Sequence, residues 1–228
     1  LFWDGRGGSL EQQALHPIVD PVEMAFDIPS LLERLNADAD YRQQFAQVFG
    51  PGPITPELTG QALATFQRTL VKATRNTAFE QLLRGRPQRM SDEQLYGLHL
   101  FRTKARCMNC HFGPALSDEQ FHNVGLSYYG RKYEDLGRYE VTRKPEDVGA
   151  FRTPSLRLVM KTAPWMHNGL FPQMVGLLNM YNAGMSRPVP HNAQQAADPK
   201  FPVTSPLLQP LQLTSAEIIA LKSFLEVL

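Results

Sequence analysis

Cys107-Met108-Asn109-Cys110-His111 lies near the middle of this 228-residue chain and contains both of its cysteines. Its form, C-x-x-C-H, is typical of covalent c-type haem attachment. Two thiols at this spacing, on one turn of helix, can each add to a vinyl group of the same porphyrin, and the imidazole that follows can ligate the iron. The motif therefore predicts haem c held by Cys107 and Cys110, with His111 as the proximal ligand.

Two other interpretations of a C-x-x-C pair are a redox disulfide and half of a zinc site. A redox pair favours a thioredoxin-like βαβ context, which this pattern lacks. A zinc site needs a second pair of suitably spaced ligands, and the chain has no further cysteine. Covalent haem is therefore the favoured interpretation.

Composition and charge are those of an ordinary globular protein, with 43% hydrophobic and 20% charged residues. The length suffices for one large domain or two small ones. A formal net charge of +1 gives no reason to expect nucleic acid or another polyanion as a partner. No apolar run approaches the ~20 residues of a membrane-spanning helix, and no signal peptide is visible.

Covalent haem is usually attached outside the cytoplasm, which favours an exported, periplasmic protein. Its leader would then precede Leu1, and a membrane anchor in the same upstream segment is a second option. A low cysteine count alone would favour a cytosolic protein. The motif overrides that indication because both thiols are assigned to the cofactor.

Helical periodicity extends through most of the chain. Helix starts are indicated by an N-cap at Thr55 and by capping boxes that pair Ser91 with Gln94 and Thr214 with Glu217. The spacing of apolar residues after Thr55 predicts an inward-facing stripe made of Ala62, Leu63, Phe66 and Leu70.

The remaining pattern predicts a mainly α fold with long loops. Helical periodicity is lost in 112–164 and in 188–210, and no strong strand pairs are visible. A domain boundary is predicted beside Gly85-Arg86-Pro87, which gives domains of 1–84 and 85–228.

Further segments occur in a fixed order on both sides of the haem motif. They are Phe2-Trp3-Asp4-Gly5-Arg6, Gln13-Ala14, Val22-Glu23-Met24, Asp135-Leu136-Gly137-Arg138-Tyr139, the run from Phe151 to Arg157, the run from Thr162 to Gly169, and Met180-Tyr181-Asn182. Together they resemble the bacterial di-haem cytochrome c peroxidase/MauG family over nearly all of the chain. The resemblance implies two cytochrome c-like helical domains, with the peroxidatic haem in the N-terminal one and the C-x-x-C-H haem in the C-terminal one.

Family members carry two C-x-x-C-H motifs, one in each domain, and this chain contains only the second. The first belongs upstream of Phe2, so the resemblance implies that residues 1–84 are an incomplete N-terminal domain. Loss of that segment, its absence from an ordered structure, and a divergent one-haem protein are the three alternatives. Loss or disorder is favoured because the segment that serves the first haem is present.

The resemblance also implies a sixth iron ligand fourteen positions after His167, which is Tyr181. Tyr181 shares one predicted helix face with Met174. Peroxidases of the family usually have methionine at the ligand position, whereas MauG has tyrosine. Met180, one residue and about 100° away on the helix, is the alternative ligand. A purely structural Tyr181 is the other alternative.

Three residues near the N-terminus match functional positions of the family. Glu23 matches the distal acid of the peroxidatic haem, which takes a proton from one peroxide oxygen and delivers it to the other. Gln13 matches the amide that orients the bound oxygen. Trp3 matches the tryptophan that carries electrons between the two haems, and an exposed terminal aromatic is its plain alternative.

Four residues after the haem motif match further positions of the family. The backbone carbonyls of Thr162 and Pro164 match ligands of a calcium ion between the domains, although the asparagine that completes that site belongs to the missing segment. Arg152 and His167 are expected at a haem edge or propionate, with ordinary structural roles as equal alternatives.

The expected function is reduction of hydrogen peroxide to water, with electrons entering at the haem on Cys107 and passing Trp3 to the first haem. A MauG-like enzyme that oxidises a partner protein is the alternative. Tyr181 favours it, and the lack of an aromatic residue directly before Cys107 disfavours it. A one-haem electron carrier is the non-enzyme alternative. The electron donor is expected to be a small cytochrome c, a cupredoxin or quinol, and a homodimer is left open.

Overall fold

A computed structural model of the chain describes residues 1–70 and 76–228, and its regular structure is mainly helical, as predicted. The helices are α1 (Leu10–Gln13), α2 (His16–Val19), α3 (Ile28–Ala37), α4 (Ala39–Phe49), α5 (Pro56–Thr69), α6 (Ala78–Leu83), α7 (Asp92–Arg102), α8 (Tyr139–Thr142), α9 (Met174–Asn182), α10 (Ala193–Ala196) and α11 (Ser215–Leu225). Short 3₁₀ turns occupy Pro87–Arg89, Cys107–Asn109, Pro145–Asp147 and Val159–Lys161. None of the helices in the described ranges combines the length and the hydropathy needed to cross a bilayer.

The chain forms two compact units, and their division differs from the predicted domain boundary. The first unit comprises Leu1–Phe2 and Arg6–Ala73, and the second comprises Trp3–Gly5 and Thr74–Leu228. The predicted boundary after residue 84 therefore falls inside the second unit. The physical reason is that Phe79 of α6 packs edge to face on Phe224 of α11, with ring centroids 5.6 Å apart.

The first unit packs α5 against α1 through small residues. A Cβ added at Gly60 would lie 2.7 Å from the carbonyl oxygen of Glu11, so the two backbones approach closely at this glycine. Ala64, one turn later, is fully buried, whereas Phe66 is 63% exposed within the chain. The predicted inward stripe is therefore wrong for Leu63, Phe66 and Leu70, because the buried face of α5 is its small-residue face.

The second unit is organised around the crossing of α7 and α11. Both predicted capping boxes are present, since Ser91 and Gln94 exchange hydrogen bonds at the start of α7 and Thr214 and Glu217 do so at the start of α11. These caps are local, so the sequence alone indicates where both helices begin. Behind them the core is built from apolar side chains that include Leu100, Phe101, Ile218, Leu221, Phe224 and Leu225.

Gly97 allows α7 and α11 to touch, because a Cβ at this position would collide with the carbonyl oxygen of Ala220. We expect Gly97→Ala to lower the free energy of unfolding by about 1–3 kcal/mol, the usual cost of overpacking a well-packed core. Gly176→Ala is the matched control, because a Cβ at Gly176 meets nothing closer than 4.0 Å and alanine favours the helix by up to about 1 kcal/mol. Chemical denaturation measures both, and equal stability of the two variants would contradict this account of the crossing.

One short antiparallel ribbon interrupts the helical pattern. β1 (Phe121–Asn123) pairs with β2 (Ala150–Arg152), and His122 lies opposite Phe151. The sequence pattern indicates no strong strand pair, and it does not reveal this ribbon because three-residue strands carry too little alternation to be recognised. The ribbon matters because His122, Phe151 and Arg152 all face the cavity described next.

Candidate haem site

The second unit contains a largely apolar cavity of about 290 Å³. Helices α7, α9 and α11 contribute to its wall, and loops, short turns and a short ribbon supply the rest. The apolar lining includes Phe101, Val159, Leu177, Leu178, Leu221 and Leu225. Cys107, Cys110 and His111 line the same cavity, so the three residues predicted to hold haem face one apolar space.

The attachment motif folds as a tight turn. Cys107–Asn109 form a 3₁₀ turn, and Cys110 follows it, whereas the sequence predicts a single helical turn for both thiols. The amide of His111 donates to the carbonyl of Cys107 at 2.9 Å, which brings the imidazole back over the turn. Two thiols and an imidazole are thereby presented to the cavity together.

His111 is held in the tautomer that a metal ligand requires. Its Nδ1 lies 2.9 Å from the carbonyl oxygen of Leu116, and because a carbonyl only accepts, Nδ1 must carry the hydrogen. The lone pair of the neutral ring is then on Nε2. Burial lowers the pKa of His111, which favours that neutral form. A ligand histidine fixed through its other nitrogen is the usual arrangement at metal sites in proteins.

Cys107 and Cys110 are both free cysteines and do not form a disulfide. Burial raises the pKa of Cys107 to about 12. Burial, with a smaller contribution from the Asp118 carboxylate, raises the pKa of Cys110 to about 11. Both sulfurs are therefore thiols at neutral pH and are available for addition to a vinyl group.

Tyr181 of α9 also lines the cavity, whereas Met180 is half-buried outside its lining. Burial raises the pKa of the Tyr181 phenol, and Cys107 and Cys110 lie near enough to act in the same direction. Of the two candidate ligands, only Tyr181 lines the cavity, and its role as iron ligand stays a prediction. Met174 and Met166 line the cavity as well, and neither thioether is among the ligands predicted from the sequence.

Two buried nitrogen atoms at the cavity have no hydrogen-bond partner within the described ranges. They are Nε of Arg152 and Nε2 of His167. The His167 ring stacks on Phe151 with a centroid distance of 3.5 Å, which fixes its orientation. Haem carries two propionate groups, and buried N–H donors bind carboxylates well. The thiol pair, the oriented imidazole, the apolar lining and these two unpaired nitrogens fit haem c.

Trp3 belongs to the second unit and lines this cavity, although it lies near the N-terminus. Its carbonyl accepts a hydrogen bond of 2.8 Å from the amide of Arg152. Its indole meets the His167 ring edge to face, with centroids 6.4 Å apart. Trp3 and the residues of the predicted haem edge are therefore neighbours.

The other predicted site residues have the following places. Glu23 is exposed in the turn after α2, and Gln13 is the half-buried last residue of α1, so both belong to the first unit. Thr162 and Pro164 lie at the cavity of the second unit, and the Thr162 hydroxyl donates to the carbonyl of Val159 at 2.9 Å. Calcium binding at these two residues stays a prediction.

Known proteins resemble the chain in sequence. The family model described as di-haem cytochrome c peroxidase matches residues 1–88. Cytochrome-c peroxidase IdrP1 of Pseudomonas sp. (strain SCT) is 32% identical over an alignment that covers 100% of this chain and 64% of the relative. The methylamine utilization protein MauG of Methylophilus methylotrophus is 38% identical, with 80% of this chain and 54% of that protein covered. The chain thus spans less than two thirds of the length of either relative.

A solved structure supports the same relationship. The crystal structure of a MauG-like protein associated with microbial copper homeostasis superposes with a TM-score of 0.80 and 29% sequence identity. The superposition covers 96% of this chain and 68% of that one. The predicted fold class is confirmed by this likeness and by the helical content of the chain. Sequence and structure agree that the chain belongs to the di-haem cytochrome c peroxidase/MauG family, whose cofactor is haem c.

Proposed function

We propose that this chain is the electron-entry part of a periplasmic di-haem peroxidase that reduces hydrogen peroxide to water. The observation that carries the proposal is a single apolar cavity lined by Cys107, Cys110, His111 and Tyr181. In this cavity Nδ1 of His111 is hydrogen-bonded to the backbone, which leaves Nε2 for the iron. Haem c, when bound there, supplies a reversible one-electron couple. Resemblance to named cytochrome-c peroxidases supports the reaction class.

Each residue around the cavity has a defined task in this proposal. Cys107 and Cys110 would hold haem c through thioether bonds, and Nε2 of His111 would ligate its iron. Arg152 and His167 would donate hydrogen bonds to the propionates, which would give their buried nitrogen atoms the partners that they lack. The apolar lining excludes water and so strengthens these polar contacts.

The peroxide chemistry is assigned to residues of the first unit. Glu23 takes the proton from one peroxide oxygen and delivers it to the other, and Gln13 orients the substrate through its amide. Two electrons and two further protons complete the conversion of hydrogen peroxide to two waters. The indole of Trp3, which lies beside His167, provides an aromatic step for electrons that leave the cavity of the second unit.

The remaining proposals concern surroundings and partners. The electron donor is a small cytochrome c, a cupredoxin or quinol, and the protein is exported. A calcium ion bound by the carbonyls of Thr162 and Pro164 suits the preference of this cation for oxygen ligands. Each of these proposals rests on the resemblance to the family.

A MauG-like oxidase of a partner protein is the second candidate function. Tyr181 favours it, because this side chain lines the cavity at the position where MauG carries tyrosine. The relative that is 38% identical is itself a MauG. The sequence Lys104-Ala105-Arg106 before Cys107 disfavours it, because it offers no aromatic residue to carry charge to a partner.

Turnover assays separate the two functions. The protein is produced with the upstream haem segment, in a host that attaches c-type haem, and is given peroxide with either a reduced small cytochrome c or a candidate partner protein. We expect rapid peroxide-dependent oxidation of the cytochrome. Oxidation of the partner protein without oxidation of any small donor would instead establish the MauG-like function.

The sixth iron ligand is tested by three substitutions. We expect Tyr181→Phe to change the ferric spectrum strongly, because the phenol is the ligand. Met180→Leu should change the spectrum little, because Met180 lies outside the cavity lining. Met174→Leu is the matched control for a thioether that does face the cavity. A near-infrared methionine–iron band in the unmodified protein, lost in either methionine variant, would contradict the assignment to Tyr181.

A further inference from the structure

Asp118 and His122 form a hydrogen-bonded pair beside the attachment motif, and no role considered above uses them. Nε2 of His122 lies 2.8 Å from Oδ2 of Asp118. Both side chains are largely shielded from solvent, with 8% of the Asp118 side chain and 21% of the His122 side chain exposed. His122 lines the haem cavity.

The fold holds this pair against the motif through the loop that joins His111 to β1. The amide of Asp118 donates to the carbonyl of Cys110 at 2.7 Å. Its Oδ1 accepts from the amide of Gln120 at 2.9 Å. His122 sits on β1, opposite Phe151 of β2. Both carboxylate oxygens of Asp118 therefore have a partner, the Gln120 amide at Oδ1 and the His122 imidazole at Oδ2.

The informative feature is that the Asp118 carboxylate lies next to the sulfur of Cys110. A Cys110 sulfur atom, an Asp118 oxygen and a His122 nitrogen all lie within 4.8 Å of one another. Such a trio has the donor set of a zinc site. In the proposed holoprotein, however, the Cys110 sulfur is committed to a thioether bond, which leaves a carboxylate and an imidazole and no metal site. What remains is a shielded negative charge beside the Cys110 sulfur.

We propose that Asp118 sets the reduction potential of the haem on Cys107 and Cys110 by placing a fixed negative charge beside it. This inference rests on the haem attachment proposed above. A nearby negative charge stabilises ferric over ferrous iron, because the ferric haem carries one more positive charge. The effect is weakly screened, since the side chain is shielded from water. His122 positions the carboxylate and offsets part of its charge.

The charge state of Asp118 agrees with this role. Burial raises the pKa of the carboxyl, but hydrogen bonds from His122 and from the Gln120 amide outweigh burial and hold the pKa below its usual range. The other acid of this loop, Glu119, is 64% exposed at its side chain and lies 3.8 Å from Arg152. Solvent and that guanidinium screen Glu119, so of these two acids Asp118 acts more strongly on the haem.

Redox titration of the holoprotein tests the proposal. We expect Asp118→Asn to shift the ferric–ferrous equilibrium about tenfold toward ferrous iron, a rise of ~59 mV for a one-electron couple. His122→Leu should lower the potential, because it removes the partner that offsets the carboxylate. Asp118→Glu keeps the charge and should stay near the unmodified value. Glu140→Gln, which removes an exposed charge that pairs with Arg143, is the control and should change little.

The outcomes separate this inference from the proposed attachment. Absence of covalent haem in the unmodified protein would refute the attachment itself. Normal haem content with an unchanged or lowered potential in Asp118→Asn would overturn the tuning role alone. Shifts of the same sign in Asp118→Asn and His122→Leu would also overturn it, because distortion of the loop then explains both. If Asp118→Asn is not recovered as holoprotein, His122→Leu alone tests the proposal. A lowered potential in that variant supports the tuning role, and an unchanged or raised potential overturns it.

Discussion

Glu23→Gln is expected to lower peroxide turnover by roughly 10²-fold or more, the scale of losing a general acid–base group. Glutamine keeps the size of the side chain but can neither take a proton from one peroxide oxygen nor deliver it to the other. Haem content at Cys107 and Cys110 should be unaffected, because Glu23 belongs to the first unit and the motif to the second.

The measurement uses the protein extended by the upstream haem segment that the resemblance to the family implies, with peroxide-dependent oxidation of a small cytochrome as the readout. The 228-residue chain alone should show little turnover, because its haem is expected to be six-coordinate and thus closed to peroxide. Glu33→Gln on α3, another exposed acid of the first unit, is the matched control and should keep full activity. High turnover by the short chain, or by Glu23→Gln, would rule out this division of tasks.

The double variant Cys107→Ala/Cys110→Ala is expected to lose all covalently bound haem. Both cysteines line the cavity, and each is expected to supply one thioether bond. Either single variant should keep one bond and therefore retain haem through denaturation. Met108→Leu is the matched control, because Met108 lies between the two cysteines with 40% of its surface exposed.

Haem staining of denatured protein on a gel distinguishes these cases. The control and the single variants should stain, and the double variant should not. Staining of the double variant would mean that the haem is attached elsewhere. Loss of stain in Met108→Leu would mean that the turn, and not the thiols, governs attachment.

Features encoded by neighbouring residues could be predicted from the sequence. The starts of α7 and α11 follow from reciprocal hydrogen bonds between residues three positions apart, such as Ser91 with Gln94. The presence of Cys107 and His111 at one cavity follows in the same way, because a single turn orients both. Tyr181 lies on the cavity face because it falls two helical turns after Met174, which lines the same cavity.

Features that depend on distant parts of the chain could not be predicted in this way. The contact of Trp3 with Arg152 joins residues that lie far apart in the sequence. The burial of Ala64 in place of Phe66 depends on how closely α5 approaches α1, which is decided at Gly60. The pairing of Asp118 with His122 needs the β1–β2 ribbon, and its three-residue strands give no recognisable alternation.

The mass of the denatured, unmodified chain tests the central claim most directly. Protein from a host with c-type maturation is unfolded in acid–acetone, separated from free porphyrin and measured by mass spectrometry. The account predicts the mass of the 228-residue polypeptide plus one haem, with the added mass mapped to the peptide that contains Cys107 and Cys110. A polypeptide mass with no haem, and porphyrin recovered in the extract, would contradict it.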